Sequence, residues 1–398
     1  MTAALSPANP TVASTGADGV ALRYMKTRAA ILVRTGAPAP YAESRPLEIA
    51  DVDLAPPGPG EVLIKMKAAG LCHSDLSVID GNRPRPLPMV LGHEGAGIVE
   101  EIGSGVTDLV VGDHVVTAFV PSCGICQPCH SGRPALCEPG LVANTAGTLL
   151  GGARRLRRRE LELNHHLGVS AFAEYATVSR NSLVKVDRSL GFAEAAVFGC
   201  AVITGTGAVI NTADLPRERT VAVIGLGGVG LAALLGARLR EATTLVAIDL
   251  SESKLAMARD LGATHTFNAA DPECADKVRS LTSGGVEFAF EMAGAVKAME
   301  LAYRITRRGG TTVTAGLAHP QAMFSIPQVG IVAEERTIKG SYLGSCVPSR
   351  DIPRYIEWYQ AGKLPVDKLL SETLLLDEIN EGFDRLARGE TLRQTLTL

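Results

Sequence analysis

The chain has little that would tie it to a membrane, a secretory route or a nucleic acid. No uninterrupted apolar run reaches the roughly 18 residues that a bilayer span requires, so no membrane association is expected. The opening 24 residues, MTAALSPANPTVASTGADGVALRY, are small and polar, with no cationic start and no continuous apolar centre. They do not read as a secretory signal; residues 1–24 are expected to form a disordered extension ahead of folded sequence. Internal repeats are absent, as are low-complexity tracts beyond that extension. The formal net charge is only −3, which gives no general attraction to nucleic acid. Charged residues make up 20% against 46% hydrophobic, which excludes wholesale disorder. Cysteine is scarce, eight in 398 residues. A reducing cytoplasm is the expected location, where clustered cysteines bind metal more often than they pair.

Half of those cysteines stand in one stretch, PSCGICQPCHSGRPALC, as Cys123, Cys126, Cys129 and Cys137. Four thiolates can surround a tetrahedral Zn2+, and a closed four-sulfur shell leaves no position open for chemistry. Gly124, Pro128, Gly132 and Pro134 mark the stretch as a turning loop. A structural zinc is expected there. A second local concentration, Arg154, Arg155, Arg157, Arg158 and Arg159 in GGARRLRRRE, reads as a solvated loop, with an anion or partner contact as the alternative.

Short apolar runs broken by Gly, Pro and Asp fill the first half of the chain and predict short strands and turns. After SLGFAEAAVFGCAVITGTGAVINTA, whose long apolar stretches suit helices, strand and helix patterns alternate, from TVAVIGLG to TTVTAGL. Such alternation predicts βαβ units and a parallel sheet. The expected division is a nucleotide-binding domain at 202–344, inserted between the two parts, 25–201 and 345–398, of a mostly β domain.

Within the alternating region, Gly225, Gly227 and Gly230 form G-x-G-x-x-G directly after an apolar strand and at the head of a helix. Asp249 ends the next strand, nineteen residues past Gly230. Glycines let the backbone approach a pyrophosphate, and the helix start supplies N–H groups to it. Asp249 can accept hydrogen bonds from both ribose hydroxyls and would repel a 2′-phosphate, so NAD is favoured over NADP. Lys254 either reaches the adenosine ribose or lies on the surface. Other metal-ligating types occur as Cys72 and Asp75 in GLCHSD, His93 and Glu94 in LGHEGAG, and Cys200 in VFGC. Two thiolates and one imidazole make a three-ligand zinc set with an open fourth position. Taken singly, each reads equally as a core residue.

GLCHSD, GHEGAG, CGICQPCHSGRPALC, GCAVITGTGAVINTA, GLGGVG and the Asp249 region occur in the order found in the zinc-dependent medium-chain alcohol dehydrogenases. The chain resembles that family over nearly everything from residue 26 onward. The resemblance implies an α/β protein with a GroES-like, mostly β catalytic domain and a Rossmann domain of doubly wound parallel sheet. By it Cys72, His93 and Cys200 bind a catalytic zinc, the quartet binds a structural one, and Asp75 and Glu94 support the former. Two Zn2+ per chain and NAD are the implied cofactors. The implied reaction interconverts primary alcohols and aldehydes, with hydride leaving a zinc-bound alkoxide for the nicotinamide.

The same resemblance makes Ser74 the first proton carrier. Where many relatives carry a histidine five residues after the first ligand, this chain has Ser77, so the outer relay falls to Ser77 and water or to His73. His73 and Arg393 match pyrophosphate contacts, and Thr204 and Val229 match positions around the nicotinamide. Phe119, His166 and Leu167 match the wall of the substrate pocket. A homodimer through the region 325–345 is implied, with tetramers known among bacterial relatives. Two other functions are weighed. One is a glutathione- or mycothiol-adduct formaldehyde dehydrogenase, disfavoured by Arg83, which stands where glutathione-type enzymes prefer an acid, and kept open by the arginine cluster. The other is a zinc-stabilised dinucleotide-binding protein without catalysis, disfavoured by the complete ligand set.

Overall fold

The computed structural model describes residues 13–15 and 21–398. Most of the expected 1–24 extension lies outside the described residues. Within it, Ala13–Thr15 and Ala21–Arg23 pair as a short antiparallel ladder with Ala13 opposite Arg23.

The chain divides into two compact units. One takes the sequence up to Gln127, then Cys137–Ala196 and Glu372–Leu398; the other takes Pro128–Leu136 and Val197–Ser371. The second unit therefore runs past the expected boundary at 344. Its helix Pro348–Gln360 is tied in by Asn211, whose side-chain amide lies 3.3 Å from both Asp351 Oδ2 and Tyr355 Oη.

In the first unit, Leu161–His165, Met89–Val90, Met25–Leu32, Leu47–Leu54 and Leu156–Arg158 close into a small barrel. Beside it lies a sheet centred on Glu61–Gly70, which pairs antiparallel with Glu94–Ile102, Tyr175–Ser179 and Arg393–Thr397. With neighbours on both edges, this central strand, EVLIKMKAAG, is buried along nearly its whole length. Its side chains join a core that includes Ile64, Met66, Leu71, Phe172 and Phe383.

The second unit is built on six parallel strands among the described residues. Their spatial order is His265–Asn268, Thr244–Asp249, Thr220–Ile224, Val286–Glu291, Thr306–Thr314 and Thr337–Gly340. Numbered by sequence this is 3-2-1-4-5-6, the doubly wound order, with its switch point between Thr220–Ile224 and Val286–Glu291. Strands such as TVAVI are buried on both faces, as parallel strands between helices must be.

The helix Phe192–Thr212 corrects the reading that no segment could span a bilayer: by length and composition it could. Glycines and threonines interrupt the apolar run without making the helix polar. It is apolar all round because it is a core helix, with 78% of its most apolar window buried inside the protein.

Candidate metal and nucleotide sites

Cys72 precedes the short helix His73–Ile79, just beyond the strand Glu61–Gly70. The next strand, Glu94–Ile102, pairs with it so that Gly70 stands opposite Glu94. This register brings GLCHSD and GHEGAG side by side. Asp75 then fastens them. One of its carboxylate oxygens accepts from the Cys72 backbone N–H at 3.3 Å and the other from the Gly92 N–H at 3.1 Å. The second oxygen also lies 3.1 Å from Nδ1 of both His93 and His166.

The electrostatics of this buried group favour a cation. Burial alone would raise the carboxyl pKa of Asp75, but the two imidazoles, His93 first, outweigh it and hold the group below its ordinary value. Burial also opposes a charge on His93, yet the Asp75 carboxylate lifts that imidazole well above its usual range. For His166 burial prevails and the pKa falls. Glu94 is wholly buried and accepts from Arg393 Nη1 at 2.9 Å, while the same nitrogen donates to the Leu71 carbonyl at 3.0 Å. Arg393, expected at a pyrophosphate, is seen here as the counter-ion of Glu94. Sequence reading missed that link, because the two residues stand 299 positions apart and meet only through the sheet.

These residues fit a zinc ion. The ligand atoms of Cys72, His93 and Glu94 lie within 4.8 Å of one another. His93 Nε2 is buried and has no hydrogen-bond partner among the described residues. Its other ring nitrogen rests on a carboxylate, the support that metal-bound histidines ordinarily have. Cys200 belongs to the second unit, 5% exposed on the π-helical turn Phe198–Val202, a type of distortion often found at functional sites.

Around the pocket, the rings of Phe119 and His166 meet His93 edge-on, with centroids 5.3 and 5.5 Å away. Leu167, next to His166, is buried too. Ser74 is half-buried, His73 is exposed, and the Ser77 hydroxyl donates to the Ser74 carbonyl at 3.0 Å. His165 has a different fate from its neighbour. Its Nε2 accepts from the Arg155 backbone N–H at 3.0 Å, and burial, aided by Arg154 and Arg155, pushes its pKa down to about 3. It is a satisfied core histidine.

In the loop Cys123–Cys137, the sulfurs of Cys123, Cys126 and Cys137 lie within 4.8 Å of one another. Cys129 stands in the helical turn Gln127–His130 of that loop. Backbone N–H groups aim at the sulfurs: those of Cys123 and Gly140 at Cys137, and that of Cys126 at Cys123, at 3.2–3.3 Å. Such donors favour thiolates, the form that binds metal. The remaining cysteines, Cys274 and Cys346, are buried, and burial pushes both thiols up, Cys274 to about 11.

The arginine cluster is partly solvated, with Arg159 exposed, and partly tied into the barrel. Arg155 Nε pairs with Glu61 at 2.7 Å, Arg158 Nη1 with Glu48 at 2.7 Å, and Arg154 Nε donates to Asn164 at 2.9 Å. These side chains lace the barrel together around the strand Leu156–Arg158.

In the second unit, the three glycines differ in what they permit. Gly225 has φ +88°, and a Cβ there would meet Ala293 at 2.7 Å. A Cβ on Gly230 would lie 1.8 Å from the Gly225 carbonyl, so the helix Gly228–Leu239 can seat on the loop only without one. Gly227 faces open space, as a backbone approached by a pyrophosphate would. Asp249 accepts from the N–H groups of Leu226 at 2.6 Å and Ser251 at 2.9 Å, and it lines a cavity of about 540 Å³ together with Gly225 and Ala293. Glu291, not singled out from the sequence, holds the turn opposite by accepting from the N–H groups of Ala293 and Gly294 at 2.8 and 2.6 Å. A lone acid at a strand end gave no signal of that. Thr204 is buried; Val229 and Lys254 are half-buried.

Residues 58–188 match the alcohol dehydrogenase GroES-like domain and residues 228–361 the zinc-binding dehydrogenase domain. An NDMA-dependent alcohol dehydrogenase of Amycolatopsis methanolica is 39% identical, over 93% of this chain and 98% of its own length. An S-(hydroxymethyl)glutathione dehydrogenase of Paracoccus denitrificans is 36% identical, over 94% of this chain and 100% of its own. Among solved structures, benzyl alcohol dehydrogenase from Acinetobacter calcoaceticus superposes with a TM-score of 0.87 at 34% identity, covering 94% of this chain and 99% of that one.

Proposed function

The chain belongs to the zinc-dependent medium-chain alcohol dehydrogenase family, and on that premise we propose that it interconverts primary alcohols and aldehydes with NAD. The observation that carries this reading is the His93 pocket, where Nδ1 rests on Asp75 and the buried Nε2 is left for a metal beside Cys72. In this reading Cys72, His93 and Cys200 hold one zinc and the quartet Cys123, Cys126, Cys129 and Cys137 holds another. A zinc at the first set would supply Lewis acidity to the substrate oxygen.

The chain's own groups do the rest. Asp75 fixes the ring of His93 and, through the Cys72 and Gly92 amides, the spacing of the two ligand-bearing turns. Glu94, neutralised by Arg393, sits behind them. Phe119 and Leu167, with the polar ring of His166 beside Asp75, shape the wall for the alcohol carbon. Ser74 takes the hydroxyl proton. Since Ser77 directs its own proton at the Ser74 carbonyl, the exposed His73 and water carry the proton onward. Gly225, Gly227, Val229 and Gly230 receive the pyrophosphate and nicotinamide end of NAD with Thr204, and Asp249 with Lys254 receives the adenosine ribose. Against the thiol-adduct alternative, two of the clustered arginines, Arg155 and Arg158, are engaged by Glu61 and Glu48. A homodimer is proposed through the edge strand Thr337–Gly340 and the exposed Val329 and Val332, 71% and 74% accessible.

A panel of primary alcohols, secondary alcohols and glutathione or mycothiol hydroxymethyl adducts, each with NAD+ and NADP+, tests this. Primary alcohols with NAD+ should give the highest kcat/KM, and Asp249→Ala should relax the preference towards NADP+. A wild-type preference for NADP+, or for the adducts, would overturn it.

A further inference from the structure

We propose that the second unit carries a phosphate-binding site, separate from the nucleotide cavity. It is a pocket of about 300 Å³ lined by Ile210, Arg217, Leu239, Arg240, Arg354, Trp358 and Lys363. The end of the helix Phe192–Thr212 with the loop after it, the end of the helix Gly228–Leu239 with the residue closing it, and the helix Pro348–Gln360 with the turn after it supply these side chains.

Four of the seven are cations, in a chain whose net charge is −3. Arg217 has an ion-pair partner, Glu241. Arg240 gives Nε to the Leu215 carbonyl at 2.6 Å and stands at a helix C-terminus, where a positive charge is favourable. Arg240, Arg354 and Lys363 have no carboxylate partner among the described residues.

Arg354 is the decisive group. Its guanidinium lies 4.8 Å from the Trp358 ring centre and 5.4 Å from that of Tyr355, and those two rings stack on each other at 5.3 Å. Aromatic packing therefore fixes its direction. Yet Nε and Nη2 are buried and make no hydrogen bond among the described residues. Buried donors on a permanent cation are costly to leave unmet. An oxyanion with several acceptor oxygens satisfies a guanidinium fork. Three cations without carboxylates call for more than one negative charge, which selects a phosphate group over a carboxylate. The volume suits free phosphate or a small phosphomonoester; the dinucleotide has the larger cavity at Asp249.

The test is isothermal titration of inorganic phosphate into zinc-replete protein saturated with NAD+, which keeps phosphate out of the cofactor site. Ionic strength is held constant with sodium chloride. One saturable site per chain is expected. Arg354→Gln should weaken it roughly tenfold to hundredfold, the worth of a charge-assisted hydrogen bond. Lys363→Gln, at an exposed side chain, should weaken it less and keeps the test open if the Arg354 variant does not fold. Phenyl phosphate separates the two sources. Tighter binding than inorganic phosphate, lost in Trp358→Leu, identifies an aromatic phosphomonoester; equal binding identifies free phosphate. Absence of saturable binding in the wild type, or affinity unchanged in both charge variants, would overturn the proposal.

Discussion

The two cysteine-bearing sites are made from different materials. In the loop Cys123–Cys137 the sulfurs of Cys123 and Cys137 are met by backbone N–H groups, three of the four cysteines are partly accessible, and turns of glycine and proline carry the chain. At Cys72 the neighbours are side chains: a buried imidazole, two buried carboxylates and an arginine, placed by the register of two long strands. Backbone-held sulfur needs only local folding and answers to a metal that braces a loop. A pocket of side chains needs the whole first unit in place and leaves groups whose charge can change during a reaction. In the proposed reading, the difference separates a metal that would hold the fold from one that would act on substrate.

That separation can be broken at either end. Cys200→Ser should lower turnover by at least about a thousandfold, since Lewis-acid stabilisation is worth several kcal/mol, while the urea midpoint barely moves. Cys129→Ser should do the reverse, lowering unfolding free energy by several kcal/mol because a structural zinc contributes folding energy directly. Steady-state kinetics and urea titration on both variants check this; equal stability losses would erase the distinction.

A finer division concerns Asp75. Asp75→Asn keeps the shape but withdraws the charge behind His93. It should weaken zinc at that pocket by about 10–100-fold, the usual cost of losing such support, and leave the loop metal untouched. Competition against a graded chelator reads both affinities in one experiment.

The smallest effect comes from His165, which belongs to neither metal. Its folded pKa of about 3 lies below the ordinary value of 6.5, so the unfolded chain binds the proton first. Stability from keeping this ring neutral is complete above pH 6.5 and is lost as pH falls towards 3. Between pH 7 and 5 the loss amounts to about 2 kcal/mol. His165→Gln should lack this share of the acid sensitivity in urea titrations at the two pH values.

Much of this was legible in the sequence where spacing is local. C-x2-C-x2-C-x7-C and G-x-G-x-x-G followed by an acid each describe one turn or one βαβ unit, and the glycines behave as their motif requires. What spacing could not show depends on strands meeting. The Glu94–Arg393 pair, the sharing of Asp75 by His93 and His166, and the pairing of Arg155 and Arg158 with Glu61 and Glu48 all cross long stretches of sequence. His165 and His166 make the same point at one residue's separation. They are identical in type, but one faces the barrel backbone and the other faces Asp75.

The most direct measurement of the two-metal account is zinc per chain, by mass spectrometry of metal content on protein purified without added metal. The account predicts two in the wild type, one in Cys200→Ser with the fold kept, and one in Cys129→Ser with the fold weakened. A single zinc in the wild type, or loss of both from either substitution, would contradict it.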